Sequence, residues 1–513
     1  MKGISLILDE LLTPQEMRAV EMNAEYLGVS RLQLMENAGR AIARAVKEKF
    51  DSKARVTVVC GPGGNGGDGL VAARHLAGEG FTPEVAILGR PKRISSEETR
   101  KNLEALERMA QSVRVTWIGD SAEIGRLEGD VIIDALLGTG IVGALSSPFR
   151  EMVEEINASP GFKIAVDVPS GIEAGTGGAK GSAVNADLTI TFHKAKTGLQ
   201  DAADHTGRLR VQAIGVPPEA ETFSGPGDVY IASRDRPSQA HKGEFGRVLV
   251  VGGSETYSGA PALAAIGAYA TGVDLVYVAA PETVSTVVAG FSPSLITLKL
   301  KGKRLSPKNV EKLNPLWDRI DAVVVGPGLG LHEKTGEAVM TIIEEVEGLD
   351  IPVLIDADAL KIYPRRREIA TEAVFTPHHK EFMILTGRSV EGGISEVGRI
   401  VKKEAGRLEA TILLKGHTDV ISDGTRTRYN LTGNPGMTVG GTGDVLSGVT
   451  AGFMAKGVSP LQAAVAAAFI NGAAGDAVLQ EKGYHIQPMD IVGKIPYIIE
   501  DALAGRLRAQ RRP

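Results

Sequence analysis

Residues 56–70, VTVVCGPGGNGGDGL, decide the fold of the first half of the chain. The apolar run Val56–Val59 predicts a buried strand, and the loop after it carries six glycines between residues 60 and 69. A glycine-rich loop between a strand and a helix normally brings backbone N–H groups close to a phosphate. Asp68 lies in this loop although a carboxylate repels a phosphate. The stretch therefore predicts a ligand loop in an α/β fold and leaves the ligand open.

Strand and helix patterns alternate along the rest of this half. Thr13-Pro14-Gln15-Glu16 predicts a capped helix start, and apolar residues then recur at helical spacing as far as Val46. Amphipathic runs such as Leu70–Ala77 and Glu97–Met109 separate several strands. The alternation predicts a parallel sheet covered by helices on both faces. The predicted strands are Val56–Cys60, Glu84–Leu88, Val113–Ile118, Val131–Asp134, Ile164–Asp167 and Leu188–Phe192.

A second alternation follows a segment rich in proline, glycine and acids. The chain has 513 residues, whereas one hydrophobic core rarely serves more than about 250–300 residues. The pattern stops between Val216 and Pro237, so we expect one domain over residues 1–225 and another over 226–513. The predicted strands of the second half are Val248–Val251, Leu275–Val278, Ala322–Val325, Val353–Ile355, Ala373–Phe375 and Ile412–Leu414.

Composition narrows the class of protein. Hydrophobic residues make up 43% and charged residues 23% of the chain, which are the proportions of a globular protein with large buried cores. The net charge of −5 gives no electrostatic reason for a nucleic-acid partner. Cys60 is the single cysteine, which excludes an intrachain disulfide and fits a reducing compartment, so we expect a cytoplasmic protein. We find no apolar stretch of about 18 residues and expect no membrane partner.

Three predicted strands of the first half end in polar clusters. The glycine-rich loop follows the first, Asp134 ends the second, and Asp167 ends the third with Ser170 three residues later. Because ligands bind at the carboxyl ends of parallel strands, we expect Asp68, Asp134 and Asp167 to meet at one edge of the sheet. Like charges so placed repel one another, so a bound cation or raised pKa values suited to proton transfer would accompany them. A strand-end aspartate can instead be a simple helix cap.

A dinucleotide-binding dehydrogenase is an alternative interpretation of the same loop. Gly61, Gly63 and Gly66 have the spacing of the dinucleotide-binding glycines. The next predicted strand after the loop, Glu84–Leu88, however, ends within the stretch AILGRPKR. This stretch lacks the acidic ribose ligand expected about 20 residues after the glycines. Asp68 is also out of place beside a pyrophosphate. The pattern therefore favours another ligand.

Four stretches together resemble the NAD(P)H-hydrate epimerase domain over about residues 10–215: MRAVEMNAEYLGVSRLQLMENAGRA, GPGGNGGDG, DALLGTG and VDVPSG. The resemblance implies that Asn65, Asp134 and Ser170 bind a potassium ion, and that Asp167 or a neighbour carries a proton. Gly64 stands where the family usually has a second asparagine, which removes one side-chain hydrogen bond. A loop that faces a nicotinamide hydrate beside a cation also accounts for Asp68. The implied substrate contacts are Gly64, Asn65, Gly66, Gly67, Asp68, Gly138, Thr139, Gly140, Ile141, Val142, Gly143, Ala144 and Asp167.

The second half has an anion site of its own. Gly440, Gly441 and Gly443 lead into an apolar helical run from Val445, and N–H groups at a helix N-terminus bind anions. Asp444 falls in that first turn, where the positive end of the helix favours the ionised carboxylate. Such a carboxylate beside a phosphate can take the proton of a hydroxyl during phosphoryl transfer. The alternative is an ordinary helix-capping aspartate.

Six motifs of the second half resemble the ribokinase-like superfamily and, within it, the ADP/ATP-dependent NAD(P)H-hydrate dehydratase over about residues 227–500: HKGEFG, GAPALA, GPGLG, DADAL, LKG and GGTGD. The resemblance implies that Asp444 is the catalytic base and that ADP or ATP, with Mg²⁺, is the co-substrate. The motif TPHHKE departs from the family at His379 and Lys380. The implied nucleotide contacts are Lys415, Gly416, His417, Thr418, Asp419 and Gly443, and the implied hydrate contacts are Ala260, Gly328, His378 and Asp444.

The two resemblances imply one bifunctional α/β enzyme, with an N-terminal Rossmann-like three-layer α/β/α domain and a C-terminal ribokinase-like α/β/α domain. The first would epimerise the R and S forms of hydrated NADH and NADPH (NADHX and NADPHX). The second would dehydrate the S form, because phosphorylation turns the C6 hydroxyl into a good leaving group that the ring nitrogen expels. We also expect a homo-oligomer. The alternative is a ribokinase-like vitamin or sugar kinase with an accessory binding domain, which would release a phosphorylated product.

Overall fold

The computed structural model describes residues 11–233, 236–365 and 367–509. The chain divides into two compact units, residues 1–217 and 218–513. Residues 218–225 pack on the second unit: the ring of Phe223 lies 5.8 Å from that of Tyr429, and the backbone N–H of Ser224 donates to the Tyr429 carbonyl. The structural division therefore precedes the boundary predicted from sequence by several residues.

The first unit is built on a seven-stranded parallel sheet with the strand order β4-β3-β2-β5-β6-β7-β9, and β1 pairs with β8 in a separate two-stranded sheet. Its strands are β1 (Leu11–Leu12), β2 (Val56–Cys60), β3 (Glu84–Leu88), β4 (Arg114–Ile118), β5 (Val131–Ala135), β6 (Phe162–Val166), β7 (Leu188–Phe192), β8 (Ala195–Lys196) and β9 (Arg208–Gln212). Its helices are α1 (Pro14–Tyr26), α2 (Arg31–Lys47), α3 (Gly64–Gly78), α4 (Glu97–Glu107), α5 (Phe149–Ala158) and α6 (Ala203–Thr206).

All six strands predicted for this half are present, with small shifts at their ends. The helical pattern from Thr13 to Val46 forms two helices, α1 and α2, because the chain turns between them at Gly28, whose φ is +102°. Helix α3 begins at Gly64, so most of the predicted ligand loop is the first turn of a helix. A Cβ on Gly66 would lie 1.9 Å from the carbonyl oxygen of Gly61. Only glycine lets the helix begin so close to the strand.

The second unit is built on a nine-stranded sheet with the order β12-β11-β10-β13-β14-β15-β16-β17-β18, parallel as far as β16 and antiparallel beyond it. Its strands are β10 (Arg247–Val251), β11 (Leu275–Pro281), β12 (Ile296–Leu300), β13 (Ala322–Val325), β14 (Val353–Ile355), β15 (Ala373–Phe375), β16 (Thr411–Leu414), β17 (Asp419–Ser422) and β18 (Thr427–Asn430). Its helices are α7 (Glu219–Thr222), α8 (Pro226–Ala232), α9 (Gly259–Ala270), α10 (Glu282–Phe291), α11 (Pro307–Val310), α12 (Glu333–Gly348), α13 (Ala357–Ile362), α14 (His379–Thr386), α15 (Ile394–Leu408), α16 (Thr442–Met454), α17 (Pro460–Lys482) and α18 (Pro488–Leu503).

Helices α9 and α16 pack together without intervening side chains. A Cβ on Gly448 would lie 1.9 Å from the carbonyl oxygen of Ala264, and one on Gly267 would lie 2.7 Å from that of Val445. Ser447 of α16 also donates a hydrogen bond to Asp356, directly after β14. These contacts fix the N-terminal turn of α16, which carries Asp444, at the carboxyl ends of the parallel strands.

In the part of the chain that the structure describes, helix α17 alone is long and apolar enough to cross a membrane. The prediction that no stretch reaches that length was therefore wrong, because alanine and glycine extend the apolar run across Asn471 and Asp476. Of its most apolar window, 78% is buried inside the protein, as in the core helix of a soluble domain.

Candidate active sites

A cavity of about 700 Å³ lies at the carboxyl ends of the first unit's strands. The start of α3, the segment after β5 and the residue after β6 form much of its wall. Gly66 and Gly67 are buried and lie outside this wall, so the structure gives them a packing role. The predicted residues that line the cavity are Gly64, Asn65, Asp68, Gly138, Thr139, Gly140, Ile141, Val142, Gly143, Ala144 and Asp167.

Asp134 and Ser170 meet beneath the cavity. Asp134 is fully buried, and its two carboxylate oxygens accept the Ser170 hydroxyl at 2.6 Å and the Ser170 backbone N–H at 2.9 Å. The Ser170 hydroxyl oxygen accepts the Leu137 N–H at 3.0 Å, and Asn65 donates its side-chain amide to the Leu137 carbonyl at 3.0 Å. The three residues predicted to bind potassium thus converge on the segment Asp134–Leu137.

The chemistry of this cluster fits a hard cation. Burial raises the pKa of Asp134 to about 6, although hydrogen bonds from Ser170 and Leu136 lower it, and no basic side chain in the described ranges pairs with the carboxylate. Carboxylate, hydroxyl, carbonyl and amide oxygens are the ligands that hard cations prefer, and a cation would favour the ionised form. Among the described residues, no group of three or more His, Cys, Asp or Glu side chains is placed to hold a metal ion, so the cluster depends on the oxygens of other groups.

Asp167 forms an ion pair that the sequence analysis missed. Its φ is +64°, an uncommon value for a non-glycine residue, and its Oδ1 accepts the ammonium of Lys196, the Thr191 hydroxyl at 3.0 Å and the Phe192 N–H at 3.3 Å. The Lys196 side chain is 1% exposed. The signal available in the sequence was FHKAKTG, which places two lysines directly after a predicted strand.

Asp68 and Glu21 face the same cavity as Asp167. Burial, together with the charges of Asp167 and Glu21, raises the pKa of Asp68 well above its usual range, and Lys196 opposes this shift. Burial likewise raises the pKa of Glu21 to about 6. The expected acidic cluster is therefore present with different members. Glu21, from α1, takes the place beside Asp68 and Asp167 that was predicted for Asp134, which bonds to Ser170 instead.

The second site lies at the start of α16. Lys415, directly after β16, donates to Oδ1 of the buried Asp356 at 3.0 Å, and Ser447 donates to Oδ2 at 2.6 Å. The Lys415 ammonium also lies 3.4 Å from where a Cβ on Gly443 would be. The structure thus brings together Lys415, Gly443 and Asp444 as predicted. It adds Asp356, for which the motif DADAL was the signal, and Ser447, which follows Asp444 by three residues.

The pKa of Asp444 differs from the sequence-based expectation. Burial and the charges of Asp356 and Asp358 raise it to about 7, while Lys415 lowers it. The helix N-terminus was expected to favour the ionised form, and desolvation and the neighbouring acids outweigh that effect. A carboxyl group with a pKa near neutrality can still accept a proton efficiently.

Several other predicted residues lie near this turn. An isolated β-bridge joins His378 to Lys415. The His378 ring accepts the N–H groups of Lys380 and Glu381 at 3.1 and 3.2 Å, so it caps α14.

The remaining predicted residues form two further contacts. Gly328 lies beside Ala260, with 3.4 Å between its would-be Cβ and the alanine methyl. The segment Lys415–Asp419 forms a tight turn in which the Gly416 N–H donates to the Asp419 carboxylate at 3.0 Å. His417 and Thr418 lie within that turn, and His417 is exposed.

Both halves of the chain match known families. Residues 248–497 match the family described as NAD(P)H-hydrate dehydratase, and residues 31–198 match the family described as YjeF-related protein N-terminus. The structure is also similar to the ADP/ATP-dependent NAD(P)H-hydrate dehydratase from Bacillus subtilis co-crystallised with ATP/Mg²⁺. That similarity has 25% identity and a TM-score of 0.47, over 55% of this chain and 99% of the other.

Full-length relatives share both halves. The bifunctional NAD(P)H-hydrate repair enzyme Nnr of Hyperthermus butylicus is 45% identical over 513 residues, covering 98% of this chain and 95% of that protein. The enzyme of the same name from Pyrobaculum aerophilum is 47% identical over 497 residues, covering 96% and 98%. The chain therefore belongs to the family of bifunctional NAD(P)H-hydrate repair enzymes.

Proposed function

We propose that this chain repairs both epimers of hydrated NADH and NADPH. The first unit interconverts the R and S hydrates, and the second dehydrates the S form with ADP or ATP as phosphoryl donor. The observation that carries the proposal is Asp444, a half-buried carboxyl with a pKa of about 7 in the first turn of a helix, near the Lys415 ammonium.

In the second unit, Asp444 takes the proton of the C6 hydroxyl as that oxygen attacks the terminal phosphate of the nucleotide. The backbone N–H groups at the start of α16 and the Lys415 ammonium stabilise the negative charge on the phosphate. The ring nitrogen then expels phosphate from C6, and loss of a proton from C5 of the resulting iminium restores the nicotinamide double bond. Mg²⁺ enters with the nucleotide, because Mg²⁺ is usually held by substrate phosphates and few carboxylates.

The residue roles in this unit follow from the same arrangement. Lys415 to Asp419 and Gly443 contact the nucleotide, and Ala260, Gly328 and His378 contact the hydrate together with Asp444. Support comes from the β-bridge between His378 and Lys415 and from the contact between Gly328 and Ala260.

In the first unit, Asn65, Asp134 and Ser170 would hold a potassium ion. The ion would supply a fixed positive charge that favours the oxygens of the hydrated ring. The start of α3, the segment 138–144 and Asp167 contact the substrate. Support comes from the burial of Asp134 without a basic partner among the described side chains and from the size of the cavity, because about 300–1,000 Å³ is the usual range for small-molecule sites.

The test is to incubate the full chain with a mixture of R and S hydrates, with ADP, with ATP and without nucleotide. Complete recovery of the absorbance of reduced nicotinamide with a nucleotide supports the proposal. Accumulation of a phosphorylated product without recovery supports the vitamin or sugar kinase instead. Size-exclusion chromatography tests the proposed homo-oligomer, and fractionation of cells tests the proposed cytoplasmic location.

A further inference from the structure

Inversion at C6 of the hydrate needs two proton transfers. C6 carries a hydroxyl and is bonded to the ring nitrogen, so ring opening removes the hydroxyl proton and adds a proton to the nitrogen. A site that catalyses this step needs one group that accepts the hydroxyl proton and another that donates a proton to the nitrogen. The carboxyl groups on the cavity wall of the first unit differ in their surroundings in a way that separates these two tasks.

The hydrogen bonds to the Asp167 carboxylate all go to one of its two oxygens. Its Oδ1 accepts hydrogen bonds from Lys196, from the Thr191 hydroxyl and from the Phe192 N–H. No residue in the described ranges donates to Oδ2, and the side chain remains 14% exposed on the cavity wall. Oδ2 is therefore the oxygen that can accept a proton from a bound hydrate.

Lys196 holds Asp167 and has no proton left for the substrate. Its ammonium donates to Asp167 Oδ1, to the Thr191 hydroxyl oxygen at 3.1 Å and to the Phe192 carbonyl at 3.2 Å. An ammonium has three donors, and all three are used inside the protein. Lys196 is thus a positioning residue that acts through Asp167.

The carboxyl group of Asp68, unlike that of Asp167, is not held by a basic side chain in the described part of the chain. Asp68 lines the same cavity, and its carboxyl group forms no hydrogen bond with any described residue. The charged groups that act on it are Asp167, Glu21 from α1 and Lys196 from β8. Burial and the two acids raise the pKa of Asp68 and outweigh the effect of the lysine, so they favour the protonated form of this carboxyl. Carboxyl groups whose environments differ in this way take the acid and base roles in many enzymes.

We propose that Asp167 and Asp68 share the epimerisation between them, with Lys196 as the residue that positions Asp167. Asp167 Oδ2 removes the proton of the C6 hydroxyl, the C6–N1 bond breaks as a C6 aldehyde forms, and Asp68 gives its proton to N1. Rotation about C5–C6 presents the other face of the aldehyde. Closure reverses both transfers and restores each group to its starting form, so no oxidant or co-reactant is consumed.

This inference rests on the proposed epimerase function, and variants of the full chain test it. Lys196→Met should lower the kcat of epimerisation by ~100-fold or more with little change in KM, because the variant loses the hold on Asp167 and keeps the cavity. Thr191→Val removes a weaker, uncharged hydrogen bond to the same Asp167 oxygen and should lower kcat by a smaller factor. Lys163→Met is the matched control, because Lys163 donates to the Ser159 and Gly161 carbonyls at the other end of β6. The thermal unfolding profile of each variant, compared with that of the wild-type chain, shows whether the first unit is folded, and nucleotide-dependent dehydration of the S hydrate shows that the second unit is intact.

Asp68→Asn tests the donor. It should lower kcat by ~100- to 10,000-fold while calorimetry shows that the hydrate still binds. Wild-type kcat in Asp68→Asn, or a Lys196→Met variant that changes KM alone, overturns the assignment. If the wild-type chain itself does not interconvert the epimers, the proposed function of the first unit fails instead, so the two failures are distinguishable.

Discussion

At Asp444, burial and two neighbouring acids raise the pKa of the carboxyl to about 7, and Lys415 limits the rise. Asp444→Asn keeps the size of the side chain but cannot accept a proton. We expect dehydration of the S hydrate to fall by ~100- to 10,000-fold, with ADP affinity and epimerisation retained. Calorimetry with ADP measures the nucleotide affinity, and the recovery of reduced-nicotinamide absorbance measures dehydration on the same sample. Recovery at the wild-type rate would leave Asp444 as a helix cap.

The same carboxyl sets a pH dependence. A base acts only when ionised, and the pKa is raised, so dehydration should be maximal above about pH 7 and fall by about tenfold per unit below it. Asp358 contributes to the rise, so Asp358→Asn should move the acid limb to lower pH. The measurement is kcat/KM against pH for both proteins. Coincident profiles would show that Asp444 is not the titrating base.

Asp134 is the residue on which the potassium site depends. Asp134→Ala removes the only carboxylate of the cluster, so epimerisation should be lost and should no longer respond to added potassium. Dehydration of the S hydrate should persist, because its residues lie in the other unit. The check is the rate of R-to-S conversion with potassium or with a large organic cation as the counter-ion. Conversion at the wild-type rate would refute the site assignment.

At the scale of elements, the contact between α9 and α16 fixes the turn that carries Asp444. Gly448→Ala would place a Cβ 1.9 Å from the Ala264 carbonyl oxygen, and overpacking of this kind costs about 1–3 kcal/mol. We expect the second unit to unfold at lower denaturant concentration and dehydration to weaken, with epimerisation retained. Gly290→Ala in α10 is the control, because its Cβ would meet nothing within 4 Å. Equal stability of the two variants would contradict the packing argument.

The elements also show what the sequence could predict. Strand β2 was predicted with its observed bounds because its five residues are buried and four of them are apolar, a signal contained within the strand. The start of α3 was not, because its glycines have low helix propensity and the contact of Gly66 with Gly61 decides its position. Lys196 and Glu21 were missed because the folded sheet and helices bring them to Asp167 from distant parts of the chain. Asp134 and Ser170 were found through a motif.

At the scale of the whole molecule, the central claim is that one chain repairs both epimers through two separate sites. Supplied with pure R hydrate and ADP, the wild-type chain should restore reduced nicotinamide. Asp134→Ala and Asp444→Asn should each fail, because one cannot form the S hydrate and the other cannot dehydrate it.

The most direct measurement mixes these two full-length variants at equal concentration and follows the absorbance of reduced nicotinamide from R hydrate with ADP. The account predicts that the mixture recovers the cofactor, since the S hydrate released by Asp444→Asn is dehydrated by Asp134→Ala. Recovery by Asp134→Ala alone, at the wild-type rate and above the rate without protein, would contradict it. The claim would also be contradicted by a mixture as inactive as each variant alone, if Asp134→Ala still dehydrates the S hydrate and Asp444→Asn still interconverts the epimers.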